Sequence, residues 1–210
     1  KDILGSAQTG TGKTLAFTLP LINNLLNNPE GIGLILTPTR ELAQQVNFNV
    51  RQLLTDIPSI KTTLLIGGES YDKQLLQLKN KPRVIIGTPG RIIDHLERNR
   101  FNPQVVSFLV LDETDRMLDM GFSIQLEQIV KQLADKRQTL MFSATFPPKV
   151  EKLTAKYTQE PVRIFLNEET NVGMVAQNLT QEILEISEGD KYVELLTQLS
   201  SREGSILVFV

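Results

Sequence analysis

Short apolar runs alternate with segments of helical periodicity along most of the chain. The Ile, Leu and Val runs do not alternate with polar residues, which is typical of strands buried on both faces of a parallel sheet. They predict strands over residues 2–5, 33–37, 62–66, 83–87, 106–112, 138–143 and 162–165. Helical spacing predicts helices over 12–26, 40–54, 70–79, 91–97, 124–134 and 148–157. We therefore expect an α/β open parallel sheet with helices on both faces.

The alternation stops at residues 167–178, which are polar and which we interpret as an interdomain linker. Beyond it the pattern predicts a strand over 179–186, a helix over 191–199 and a strand over 205–210. One such unit leaves a sheet face bare, and the chain stops in an apolar run, so we expect a piece of a longer protein. The predicted domains are 1–166 and the start of a second one at 179–210.

Composition narrows the chemistry that the chain can perform. Of 210 residues, 40% are hydrophobic and 22% are charged, which excludes a disordered chain. No apolar run approaches the roughly 20 residues that span a bilayer, so no membrane partner is expected. With no cysteine, we expect no disulfide partner and a reducing, cytoplasmic location. The one histidine, His95, is expected to be a surface or half-buried residue and not a catalyst, which leaves carboxylates, Lys, Arg, hydroxyls and a hard metal.

A glycine-rich loop follows the first predicted strand and opens the first predicted helix. Its sequence is Ala7-Gln8-Thr9-Gly10-Thr11-Gly12-Lys13-Thr14, with Ala7 where the generic pattern has its first glycine. In this context the loop's N–H groups and the helix N-terminus bind nucleotide phosphates. Lys13 is placed to reach the β and γ phosphates, and the Thr14 hydroxyl is placed to help hold Mg²⁺.

Carboxylates follow the predicted strand 106–112, at the end where open α/β sheets bind ligands. Asp112 is predicted to hold Mg²⁺, partly through water, because Mg²⁺ prefers one or two carboxylates plus phosphate oxygens. Glu113 is predicted to orient and deprotonate the attacking water. The alternative is an acidic helix N-terminus favoured by the helix dipole. The phosphate loop favours the catalytic interpretation.

Six motifs in order along the chain resemble those of the DEAD-box RNA helicases. They are residues 7–14, Pro38-Thr39-Arg40-Glu41-Leu42-Ala43, Gly67-Gly68, Thr88-Pro89-Gly90-Arg91, Asp112-Glu113-Thr114-Asp115 and Ser143-Ala144-Thr145. Each is weak alone, but six in order are specific, and the resemblance covers nearly the whole chain. Thr114 replaces the usual alanine of the acidic motif, and we expect the chemistry to survive this change.

The resemblance implies a RecA-like domain of an ATP-dependent RNA helicase, which uses ATP and Mg²⁺ and has RNA as its partner. It implies RNA-backbone contacts at Pro38, Thr39, Arg40, Gly68, Thr88, Pro89, Gly90 and Arg91. Such contacts reach phosphates and 2′-hydroxyls and not base edges, so RNA binding should be sequence-tolerant. Asp115 is expected to pair with Ser143 or Thr145 and to couple the γ-phosphate side to the RNA side.

Two other functions remain open from the residues. One is another P-loop enzyme, such as a GTPase or a nucleotide kinase. A guanine-recognising Asn-Lys-x-Asp would indicate it, but the nearest match, Asn80-Lys81-Pro82-Arg83, has Arg in place of Asp. A non-catalytic RNA-binding module is the other. By resemblance, an adenine-recognising segment would precede Lys1 and the arginines that contact the γ-phosphate would follow Val210. Residues 1–210 alone are therefore expected to be nearly inactive as an ATPase.

Overall fold

Seven strands pair into one parallel sheet in the computed structural model, which describes residues 1–6, 12–165 and 182–208. The strands are β1 (Ile3–Ser6), β2 (Ile32–Leu36), β3 (Thr62–Leu65), β4 (Val84–Gly87), β5 (Val106–Leu111), β6 (Gln138–Ser143) and β7 (Val162–Phe165). Their order across the sheet is β3-β4-β2-β5-β6-β1-β7, with every pair parallel. The predicted parallel α/β sheet is confirmed.

Helices connect these strands and cover both faces of the sheet. Within the described ranges they are α1 (Lys13–Asn27), α2 (Arg40–Leu53), α3 (Tyr71–Lys79), α4 (Pro89–Glu97), α5 (Thr114–Asp119), α6 (Ser123–Gln132) and α7 (Pro148–Tyr157). The short helix α5 is absent from the sequence prediction. Helix α4 begins two residues before its predicted start, because the fixed φ of Pro89 suits the first helical position.

The central strands bury side chains on both faces, which explains their unbroken apolar runs. Leu34 and Leu36 belong to a core shared with α4 and α6, whereas Ile35 between them belongs to a core shared with α1 and α2. All three side chains are fully buried. Successive strand residues point to opposite faces, so a two-sided core requires apolar residues at every position.

The motif segments all follow the carboxyl ends of strands, and parallel pairing therefore brings them to one edge of the sheet. The order of the strands sorts them into two groups. The phosphate loop, the acidic motif and Ser143-Ala144-Thr145 follow β1, β5 and β6, which are neighbours. The remaining three motifs follow β2, β4 and β3, which are also neighbours. The two groups meet between β2 and β5.

The chain divides into two compact units, Lys1–Glu168 and Glu169–Val210. In the second unit, α8 (Lys191–Ser201) agrees with the predicted helix over 191–199. The predicted strands over 179–186 and 205–210 are wrong for residues 182–186 and 205–208, which form no strand. An apolar run becomes a strand only when its backbone groups find ladder partners, and these residues have none in the described part of the chain. The predicted linker, 167–178, lies outside the described residues.

None of the helices in the described ranges combines the length and the apolar character that crossing a membrane requires.

Candidate functional site

The described part of the phosphate loop is Gly12, Lys13 and Thr14, where α1 begins; Ala7, Gln8, Thr9, Gly10 and Thr11 lie outside the described residues. Gly12 has φ +86°, a backbone conformation that side chains other than glycine rarely adopt. No described side chain caps α1, and its first turn contains no acidic residue. No described side chain therefore occupies the first N–H groups of α1, and the helix dipole favours an anion there.

Lys13 and Asp112 face each other across the ends of β1 and β5. Lys13 Nζ lies 3.9 Å from Asp112 Oδ1, and the side chains are only 10% and 4% exposed. Asp112 Oδ1 also accepts a hydrogen bond from the Glu113 N–H at 3.0 Å. The cation and carboxylate predicted from separate motifs are therefore brought together.

The Asp112 carboxylate is under-compensated in its buried position. Burial raises the pKa of its carboxyl to about 6, and the neighbouring charge of Glu113 acts in the same direction, although Lys13 opposes both. A carboxylate in this state gains from any further positive charge placed beside it.

Glu113 sits at a strained backbone position directly after Asp112. Its φ of 50° and ψ of 55° place a non-glycine residue in the left-handed region, which costs of order 1–3 kcal/mol. Its carboxylate accepts a hydrogen bond from Arg116 Nη1 at 3.1 Å. Thr114, next in the chain, is fully buried, and its hydroxyl lies 3.4 Å from the Leu111 carbonyl oxygen. The substituted threonine hydroxyl is thus directed at the backbone of β5, not at the two preceding carboxylates.

Asp115 joins the acidic motif to the loop after β6. Its Oδ2 accepts hydrogen bonds from the Thr145 N–H at 2.9 Å and from the Thr145 hydroxyl at 2.8 Å. The Asp115 N–H donates to Ser143 Oγ at 3.2 Å, and Ser143 Oγ donates to the Thr145 carbonyl at 2.7 Å. Asp115 therefore contacts both Ser143 and Thr145. The role of these contacts in coupling stays a prediction.

A cavity of about 390 Å³ opens beside Lys13, Asp112 and Glu113. Its far wall belongs to α2 and includes three polar side chains that sequence reasoning missed, Gln45, Asn49 and Gln52. A signal for them was present, since polar residues spaced by four and three lie on one face of a helix.

A second cavity, of about 490 Å³, lies at the ends of β2, β3 and β4. It is lined by six of the eight residues predicted to contact RNA, namely Pro38, Thr39, Arg40, Thr88, Gly90 and Arg91. Gly68 and Pro89 are not among its lining residues. Glu41, Gly67, Asp94, Met120 and Phe122 complete the wall. Met120 and Phe122 come from the segment after α5, which places that segment beside the cavity.

The glycines around this cavity differ in what surrounds them. A Cβ on Gly67 would lie 2.9 Å from Arg40 Nη2, and one on Gly68, where φ is +81°, would collide with Arg40 Nη1. The space over the double-glycine turn is thus filled by the Arg40 guanidinium. A Cβ on Gly90 would meet nothing within 4 Å. Open space at the start of α4 leaves room for a ligand there.

Comparison with known proteins places this geometry in a family. Residues 1–153 match the profile described as DEAD/DEAH box helicase. The chain belongs to the DEAD/DEAH box helicase family. This DEAD/DEAH chain is 42% identical over its whole length to an ATP-dependent RNA helicase, DDX47, of Drosophila melanogaster, of which it covers 41%. It is 41% identical over 91% of its length to the ATP-dependent RNA helicase DbpA of Bacillus subtilis, of which it covers 40%.

Solved structures of DEAD-box proteins share the fold. The yeast DEAD-box splicing factor Prp28 superposes with a TM-score of 0.78 at 33% identity, over 96% of this chain and 48% of that one. A DEAD box protein from Methanococcus jannaschii gives 0.74 at 35% identity, over 96% of this chain and 53% of that one. The DEAD/DEAH chain thus spans less than half the length of the two curated relatives and about half that of the two solved structures.

Proposed function

We propose that the chain is the ATP-binding and RNA-binding part of an ATP-dependent RNA helicase, which couples ATP hydrolysis to RNA unwinding or remodelling. One observation carries the proposal. Lys13 and Asp112, which follow β1 and β5 on either side of β6, lie 3.9 Å apart. The cavity lined by donors lies at the ends of the adjoining strands β2, β3 and β4, and the Asp115 carboxylate accepts a hydrogen bond from the Thr145 hydroxyl. ATP chemistry and RNA binding would then share one edge of a rigid sheet.

The phosphate side suits ATP with Mg²⁺. Residues 7–14 of the loop would wrap the phosphates, with Lys13 on the β and γ phosphates. Thr14 and Asp112 would hold Mg²⁺, and the buried, under-compensated Asp112 carboxylate fits a divalent cation. In the described ranges no three His, Cys, Asp or Glu side chains are placed so that together they could hold a metal ion. Mg²⁺ does not need three such ligands, because it keeps waters and phosphate oxygens. When bound, Mg²⁺ neutralises charge that develops on the phosphates.

Glu113 is the proposed general base. It follows Asp112 directly, lines the same cavity as Lys13, and pairs with Arg116, whose side chain is largely exposed. A carboxylate there can orient a water against the γ-phosphate and accept its proton. The strained backbone of Glu113 is of the kind found where a side chain is aimed for function.

The second cavity would take the RNA backbone. Thr39, Thr88 and Arg91 line it with hydroxyl and guanidinium donors. The Thr39 hydroxyl oxygen already accepts the Leu42 N–H at 3.2 Å, which leaves its own O–H free to donate. The proposed contacts are with phosphates and sugars, so sequence-tolerant binding and a preference for RNA over DNA are expected. A cytoplasmic location is part of this proposal.

The test is nucleotide specificity combined with a phosphate-loop variant, made in the full-length protein. ATP, not GTP, should bind and be hydrolysed, and Lys13→Ala should abolish hydrolysis and weaken ATP binding. Preference for GTP would favour the other P-loop class, and RNA binding without any nucleotide binding would favour a non-catalytic module. Wild-type turnover by Lys13→Ala would remove the phosphate-loop assignment.

A further inference from the structure

The only histidine of the chain is fully buried, which corrects the expectation that it lies at the surface or is half-buried. His95 is on α4, and its ring stacks on that of Tyr71, with centroids 4.6 Å apart and planes 5° apart. Its Nε2 lies 3.0 Å from Oε1 of Gln74, a fully buried residue of α3. We call Tyr71, Gln74 and His95 the Gln74 cluster. None of the three has a role in the proposed ATP site.

The hydrogen bonds fix the orientation of the Gln74 amide. Gln74 Nε2 lies 2.9 Å from the Ile66 carbonyl and 3.4 Å from the Glu69 carbonyl. Carbonyl oxygens only accept, so the amide nitrogen must point to them and Oε1 must point to His95. An amide oxygen also only accepts, so the hydrogen-bond network assigns the ring hydrogen of neutral His95 to Nε2.

The network also favours an uncharged His95. Its Nδ1 has no hydrogen-bond partner among the described residues, so a second ring proton would be buried without an acceptor. Burial, followed by the charge of Arg91, lowers the pKa of His95 to about 4. At neutral pH the ring is thus a fixed, single donor to Gln74.

The two carbonyls that Gln74 binds stand on either side of the double-glycine turn. Ile66 precedes Gly67-Gly68 and Glu69 follows them, so the Gln74 amide bridges the two ends of the turn by hydrogen bonds. Arg40 packs against the glycines themselves. Glycine has more conformational freedom to lose on folding than any other residue, so the hydrogen bonds of the buried amide restrict a turn that contains two of them.

The same cluster reaches the cationic wall of the second cavity. The Arg91 guanidinium carbon lies 5.6 Å from the centre of the Tyr71 ring, and that of Arg98 lies 5.0 Å from it. Arg91 lines the cavity and also pairs with Asp94, its Nε lying 3.4 Å from Oδ2. The Gln74 cluster therefore connects the turn after β3 to the residue of α4 that would contact phosphate.

We propose that Gln74 and His95 are positioning residues for RNA binding, which hold the double-glycine turn and Arg91 at a fixed spacing without touching RNA. The inference rests on the proposed function, since it assigns the second cavity to the RNA backbone. A backbone-binding surface recognises the regular spacing of phosphates, so the spacing of the protein groups that bind them determines affinity.

Gln74→Met tests the proposal, because methionine is unbranched like glutamine but makes none of the three hydrogen bonds. Gln77→Met is the matched control: Gln77 is also on α3, but its Oε1 accepts from the Thr63 hydroxyl at 2.8 Å, away from the turn. The probe is a short fluorescent oligouridylate, with the full-length protein and a non-hydrolysable ATP analogue with Mg²⁺. Gln74→Met should lose at least about fivefold in RNA affinity, with unchanged affinity for the analogue, whereas Gln77→Met should bind both normally.

Arg91→Ala added to Gln74→Met separates positioning from general loss of stability. The combined loss in RNA affinity should be smaller than the two single losses together, because Gln74 acts partly through Arg91. Unchanged RNA affinity of Gln74→Met would overturn the inference, as would an equal loss of RNA and nucleotide binding. Absence of RNA binding by the unaltered protein would instead overturn the proposed function, and this inference with it.

Two measurements keep the proposal testable if Gln74→Met does not fold. His95→Phe keeps a flat ring beside Tyr71 but removes the donor to Gln74, and it too should weaken RNA binding while sparing nucleotide binding; normal RNA affinity would contradict the proposal. In the nitrogen NMR spectrum of the full-length protein, the histidine signals that disappear in His95→Phe should be those of a neutral ring with its hydrogen on Nε2. A hydrogen on Nδ1, or a charged ring at neutral pH, would contradict the hydrogen bond from His95 to Gln74 and with it the proposal.

Discussion

Asp115 holds Thr145 through two hydrogen bonds to one oxygen: Oδ2 accepts from the Thr145 N–H at 2.9 Å and from its hydroxyl at 2.8 Å. The pair joins the first turn of α5, which contains the end of the acidic motif, to the loop that follows β6. We therefore expect a movement at Asp112 or Glu113 to be transmitted to the loop through this charged acceptor, because hydrogen bonds to charged groups are the stronger kind.

Thr145→Val should reduce the stimulation of ATP hydrolysis by RNA, by about tenfold, while ATP binding is unchanged. Valine keeps the shape and the backbone hydrogen bond but loses the hydroxyl donor, and a hydrogen bond to a charged group contributes about 1.5–3 kcal/mol. Thr145→Ser, which retains the hydroxyl, is the control and should behave as the unaltered protein. Steady-state phosphate release with and without RNA checks this, and full stimulation in Thr145→Val would refute the coupling role.

Asp112→Asn should stabilise the fold while abolishing hydrolysis. Because the folded pKa is raised from 3.8 to about 6, the contribution of Asp112 to stability is complete below pH 3.8 and is lost as the pH rises through 6. At pH 7 the ionised carboxylate thus costs about 3 kcal/mol, which an uncharged amide avoids. Thermal unfolding in metal-free buffer should give a higher Tm for the variant at pH 7 and a shrinking difference towards pH 4. A lower Tm at pH 7 would contradict the account.

His95 should act on stability in the opposite direction to Asp112 and make the fold less stable in acid. Its folded pKa of about 4 lies below the usual 6.5, so the unfolded chain binds the extra proton first and stability falls as the pH drops from 6.5 towards 4. The full loss is about 3 kcal/mol. Arg91, Arg98 and Arg100 around the ring favour the neutral form, and Asp94 opposes them.

Comparison of His95→Phe with the unaltered protein isolates the contribution of His95 to the pH dependence of stability. Urea unfolding across the same pH range should show that the free energy of unfolding changes less with pH in His95→Phe, since phenylalanine does not titrate. Parallel curves for the two proteins would mean that His95 is not buried in a neutral form.

Arg91→Ala should weaken RNA binding equally for all sequences and lower the salt dependence of binding by about one phosphate contact. Arg98→Ala is the matched control, because Arg98 also lies over the Tyr71 ring but does not line the cavity. Titrations with several oligonucleotides at several salt concentrations measure both effects. A loss confined to particular sequences, or an equal effect of Arg98→Ala, would contradict backbone contact by Arg91.

The sheet and its functional edge could be predicted from sequence because both depend on local signals. Unbroken apolar runs such as residues 106–111 reveal strands buried on both faces, and the parallel arrangement then brings the motifs after them to one edge. The rule brings Lys13 and Asp112 to the same edge, but their contact also requires the strand order β5-β6-β1, which the sequence pattern does not predict.

The features that sequence reasoning missed depend on partners distant in the chain or on backbone strain. The burial of His95 is determined by Tyr71 and Gln74, which lie on another helix, and a lone histidine in a helical pattern carries no trace of them. The left-handed backbone of Glu113 and the start of α5 at Thr114 lie directly after β5, and neither leaves a signal in the pattern of apolar residues. The strand prediction for residues 205–208 failed because apolar composition does not supply ladder partners.

The most direct test of the central claim is RNA-stimulated phosphate release by the full-length protein, compared with Glu113→Gln. The unaltered protein should hydrolyse ATP faster when RNA is added. Glu113→Gln should still bind ATP and RNA but lose hydrolysis by orders of magnitude, because the group that accepts the water's proton is gone. ATP hydrolysis that is indifferent to RNA, or normal hydrolysis by Glu113→Gln, would contradict an RNA-dependent ATPase built on this edge of the sheet.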